Sequence, residues 1–79
     1  MKSNLGYSAK VVLTLLAGGL ELAVSHVGPG ELVIRDHCSP IPVGNAKLII
    51  QVDDTREEVN VFLPFGVPSD KRRIRYSPA

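Results

Sequence analysis

Turn-forming residues recur every eight to twelve positions along this chain, at Gly18-Gly19, Gly28-Pro29-Gly30, Pro40 to Gly44, Asp53-Asp54 and Pro64 to Pro68. Proline fixes φ and glycine reaches the positive φ that other residues resist, so each cluster punctuates the backbone. What lies between them is the length of a strand, too short for most helices. The punctuation therefore favours an antiparallel sheet built from hairpins.

The residues between the turns alternate at period two, as strands do. Val11, Leu13 and Leu15 share one side and Val12, Thr14 and Leu16 the other, and after Gly18-Gly19 the residues Leu20, Leu22, Val24 and His26 continue a single face. Leu32 and Ile34 lie opposite Val33, and Leu48, Ile50 and Val52 lie opposite Lys47, Ile49 and Gln51. Beyond Asp53-Asp54-Thr55-Arg56, the residues Val59, Val61 and Leu63 return on one face with Glu58, Asn60 and Phe62 on the other. Lys71 to Tyr76 alternates charge with Ile74 and Tyr76, as a charged edge strand does.

The expectation is a mainly β protein: a small antiparallel barrel or sandwich of five to six short strands built from hairpins. The alternative is an α+β fold with residues 9–26 helical, because Leu13, Leu16, Ala17, Leu20, Ala23, Val24 and Val27 also fall on a helical stripe. Two adjacent interior glycines would cost such a helix about 2 kcal/mol relative to alanine, which favours the hairpin. With 79 residues the chain is read as a single domain, 1–79, with 1–8 and 77–79 as flexible tails.

Composition narrows the function classes. Nine Lys/Arg against eight Asp/Glu leave a net charge of +1, so no overall positive field favours nucleic acid. A single Cys forms no intramolecular disulfide, which points to a reducing, cytoplasmic setting. The apolar run at 11–20 after Lys10 has features of a signal peptide, yet it is too short to span a bilayer and Glu21 follows at once, so a retained segment and no membrane partner are expected.

No catalytic set assembles from the residues. Asp36-His37-Cys38-Ser39 is the one cluster of reactive types, but a thiolate needs a histidine beside it in space, and sequence neighbours point apart. Cys38 reads as a packed apolar residue and His37 as a solvated one. His26, His37 and Cys38 lack zinc-site spacing, and Asp53, Asp54, Glu57 and Glu58 lack the central glycine of a calcium loop, so no metal and no cofactor is expected. Gly28-Pro29-Gly30-Glu31 has neither the following Lys-Ser/Thr nor the helix of a phosphate loop. The run His37 to Pro42 lacks the Asp/Asn and Gly of the bacterial second-messenger barrels of the PilZ type, and no arginine pair precedes it.

Two functional expectations remain. Val12, Leu16, Val33, Ile49 and Phe62 lie opposite the faces assigned to the core, so a second apolar sheet face is left to cover. This favours a small non-enzymatic β interaction module that self-associates through that face as a homodimer, or covers it with another protein. The alternative is a small barrel that binds single-stranded nucleic acid through Lys71, Arg72, Arg73 and Arg75, with Tyr76 for stacking.

Overall fold

Seven strands and no helix make up the described residues, 10–36 and 39–79, of the computed structural model. They are β1 (Val11–Ala17), β2 (Leu20–Gly28), β3 (Glu31–Ile34), β4 (Gly44–Val52), β5 (Thr55–Leu63), β6 (Arg73–Arg75) and β7 (Ser77–Pro78). One sheet runs in the order β6-β3-β2-β1-β4-β5-β7, with every pairing antiparallel. The helical alternative for 9–26 does not occur in its described residues, 10–26. Gly18 and Gly19 take φ of 58° and 79°, and two successive positive φ values make the tight hairpin turn whose twist matches its strands.

Register puts the alternating apolar residues into one interior. Leu15 stands between Leu22 of β2 and Leu48 of β4, and Leu48 in turn faces Val59 of β5. Leu15, Leu32, Ile34, Leu63, Ile74, Val61 and Val67 are almost fully enclosed, and each such side chain contributes roughly 1.5–3 kcal/mol through removal from water. No polar or charged residue is buried among the described residues.

The C-terminal segment closes the sheet into a near-barrel. β6 pairs with β3, β7 pairs with β5, and Tyr76 alone separates them, so one short stretch of chain joins both sheet edges. Tyr76 donates its N–H to the Gly30 carbonyl at 3.1 Å and its hydroxyl to the Gly28 carbonyl at 2.7 Å. Residues 77–79, expected as a tail, lie along β5: Ser77 faces Phe62, Pro78 faces Val61, and the Ala79 N–H donates to the Asn60 carbonyl. Pro78 is tolerated because this is an edge strand. The other expected tail, 1–8, lies outside the described residues, as do His37 and Cys38.

Two irregularities shape the surfaces. In the proline-rich loop before β4, Ile41 exchanges backbone hydrogen bonds with Val67 at 2.8 and 2.9 Å and is buried in the core cluster. A bulge at Ser25 shifts the β2–β3 register, so Val24 faces Ile34 while His26 faces Val33. His26 therefore points outward instead of continuing the face of Leu22 and Val24, and Val27 packs on the core in its place. Pairing between β1 and β2 ends at Leu13 and Val24. Beyond that point β1, β4 and β5 continue as an arm, in a molecule of 47 × 24 × 22 Å.

Candidate interaction surfaces

The arm arises because the β4–β5 hairpin is longer than the barrel it helps to build. Val11 stands opposite Val52, which faces Thr55; Val12 stands opposite Gln51, which faces Arg56. Alternation places Val11, Leu13, Ile50, Val52 and Val59 on the continuation of the interior face, with Val12 on the reverse. Leu15, Leu22 and Leu48 on this face are buried, but on the arm Val11 is 54% exposed and Val52 37%, and Val59, level with Leu48 on the open edge of β5, is 38% exposed. Every residue from Gln51 to Asn60 is exposed. β7 reaches only Val61 and Phe62, so β5 from Thr55 to Val59 has no strand on its outer edge among the described residues.

Ion pairs line the reverse face. Glu58 lies 3.3 Å from the Lys47 ammonium and 3.2 Å from the Arg56 guanidinium. Lys47 first, then Arg56, hold the Glu58 carboxyl below its usual range. At the tip, Asp53 takes a positive φ of 51° and accepts a hydrogen bond from the Lys10 N–H through Oδ1 at 3.0 Å, while its own N–H donates to the Lys10 carbonyl. The acidic group read from the sequence therefore does not converge: Glu57 and Glu58 occupy opposite faces, and Glu58 is committed to cations. No group of three or more His, Cys, Asp or Glu is placed to hold a metal among the described residues.

The five residues of the expected second face are dispersed. Leu16 and Ile49 lie close together on neighbouring strands, Leu16 opposite Lys47 and Ile49 opposite Thr14, and Val12 lies further along β1 at 43% exposed. Ile49 is only 5% exposed although it sits outside the core cluster. Its register neighbours are Thr14 and Glu58, and Lys47 and Gln51 flank it on the same face of β4. Val33 is half-buried between His26 and Arg73 on the far side of β2, and Phe62 is half-buried between Asn45 and Ser77. Val11, Val52 and Val59, which alternation puts on the core face, are 54%, 37% and 38% exposed, beside 43% for Val12.

The basic segment forms a second surface. Lys71, Arg72, Arg73 and Arg75 are all exposed; Arg73 pairs with Glu31 at 3.7 Å, and Arg72 donates to the Arg35 carbonyl at 3.1 Å. Tyr76, expected to stack on a ligand, packs against the core with its hydroxyl engaged by Gly28. The exposed aromatic here is Phe65, 70% exposed, beside a cleft of about 150 Å³ that it lines with Lys71, Arg73 and Arg75.

The remaining polar groups make no catalytic arrangement among the described residues. Ser25 donates its hydroxyl to the Val33 carbonyl at 3.2 Å and lies 3.1 Å from His26 Nδ1, at the surface and with no third group completing a relay. No helix among the described residues is long and apolar enough to cross a membrane. Compared with protein-family models, curated proteins and solved structures, the chain matches none.

Proposed function

We propose that the protein is a small non-enzymatic β interaction module that self-associates, and that the surface through which it does so is the arm, two copies packing their arms together about a two-fold axis. The observation that carries this reading is the exposure of Val11 and Val52 beyond the last β1–β2 pair, on the continuation of the face that holds the core, with Val59 exposed on the same face where β5 has no outer strand. A solvated ribbon with valine on both faces is a poorly stabilised element until something packs on it.

A second copy is the occupant best matched to this surface. The arm bears Lys10, Lys47 and Arg56 alongside Asp53, Asp54, Glu57 and Glu58, so two copies meet without a strong like-charge field. An apolar patch on a twofold axis is self-complementary, since each valine of one copy is offered the same patch of the other. The patch is small, which makes the expected dimer reversible, of the weak class that forms with under about 1,200 Å² of total contact.

Light scattering over a dilution series tests this. The molar mass should climb from monomer towards dimer as concentration rises through roughly tens of micromolar, as befits a small interface. The double variant V11K/V52K should stay monomeric with its melting temperature unchanged. A wild-type monomer throughout, or a variant that still dimerises, contradicts the reading.

A further inference from the structure

We infer that Phe65 and the cations of the β6 segment form a groove for single-stranded nucleic acid, an activity independent of the arm. The chain goes to some length to hold this phenylalanine out in water. Leu63 and Val67, two residues to either side of it, are each 1% exposed, and Val67 is pinned to Ile41 by two backbone hydrogen bonds. The Gly66 N–H closes the turn on the Leu63 carbonyl at 3.2 Å. Gly66 has φ 62°, and a Cβ there would collide with the Ile41 carbonyl oxygen and the Pro42 carbonyl carbon, so no other residue fits. Pro64 and Pro68 stiffen the loop further. An exposed aromatic on so constrained a turn is ordered before any ligand arrives, which removes an entropic cost of binding.

The wall facing Phe65 is cationic. Ile74 is buried at 1%, so Arg73 and Arg75 on either side of it both project outward, about 7 Å apart along the strand. Lys71 joins them at the cleft. Arg73 is partly neutralised by Glu31, whereas Lys71 and Arg75 make no ion pair with any described residue. The net charge of +1 conceals this: four cations fall between positions 71 and 75, against Asp70 beside them in sequence and Glu31 opposite them on β3. Cations alone would suit any polyanion. An aromatic face among them suits a polyanion that carries planar groups, and a base can stack on Phe65 only when unpaired, which selects the single strand.

The experiment is fluorescence anisotropy of the full chain with a labelled 12-residue oligouridylate at low salt. Binding should weaken with salt along a log–log slope of about −2, near −0.7 for each of three phosphate contacts. F65A should weaken binding roughly ten-fold and leave that slope and the melting temperature unchanged, because the lost stacking is not ionic. R75Q should reduce the slope by about 0.7. V11N/V52N, which opens the arm without adding charge, should bind as the wild type does, so that this groove and the arm stand or fall separately. The inference is overturned if the oligouridylate causes no anisotropy change, if F65A binds as tightly as wild type, or if a duplex of equal length or hexaglutamate binds as well.

Discussion

At its C-terminal end β5 presents Val61 and Leu63 to the interior, each 1% exposed, with β4 on one side and β7 on the other. Two residues before Val61, on the same strand and the same face, Val59 is 38% exposed, with β4 on one side and no strand on the other. The residue type, backbone and alternation are the same at the two positions; only the covering differs. Alternation thus settles which way a side chain points, while closure by Tyr76 and the two-residue β7 settles whether anything lies over it.

The comparison breaks if Val61 and Val59 respond alike to truncation. V61A should cost about 2 kcal/mol, the transfer free energy of two methyl groups plus a cavity term, and V59A less than about half of that, since its methyl groups are already partly hydrated. Chemical denaturation of dilute protein reads both. Equal losses would place the arm within the core and leave its valines without a separate role.

A smaller effect sharpens the same contrast on the charged side of the arm. Glu58 is held below its usual pKa by Lys47 and then Arg56. A folded pKa depressed below the unfolded one means that the group's contribution is present above the unfolded value and is lost as pH falls through the folded value. In an NMR titration the Glu58 carboxyl should have its midpoint below the ordinary glutamate value, and K47A should move it back up more than R56A does. Because Glu58 is exposed, the melting temperature of the barrel should barely respond over the same range.

Much of the architecture was legible in the letters. The β1–β2 and β4–β5 hairpins follow from period-two runs around Gly18-Gly19 and Asp53-Asp54, and the core residues Leu15, Leu22, Leu48 and Val61 follow from the same alternation. What escaped has definite causes. The bulge at Ser25 inserts one residue without changing composition, so its reversal of His26 carries no sequence mark. β4 begins at Gly44, three residues before the expected Lys47, because the β5 ladder holds a Gly-Asn pair of low strand propensity. Ser77-Pro78 has no intrinsic preference for a strand and gains one from the open edge of β5.

The candidate surfaces were legible in a coarser sense. The basic run at 71–75 is plain in sequence, but which aromatic accompanies it depends on the strand end: closure draws Tyr76 inward and the Gly66 turn drives Phe65 outward. The outward residues Val12, Leu16, Val33, Ile49 and Phe62 do face away from the core, yet facing does not fix exposure: Ile49 is 5% exposed while Val52 on the opposite face is 37% exposed. Strand length supplied the missing term. Residues 51–56 extend past the last β1–β2 pair, and a hairpin that outruns its neighbours leaves its own core face in water.

Amide hydrogen exchange of the wild-type protein at low and high concentration tests the central claim most directly. The barrel amides of Leu15 and Leu63 should be strongly protected and indifferent to concentration, whereas the amides from Thr55 to Val59 should exchange quickly when dilute and gain protection as copies associate. Arm amides that are as protected as the barrel in dilute solution, or that gain nothing on concentration, would contradict the account.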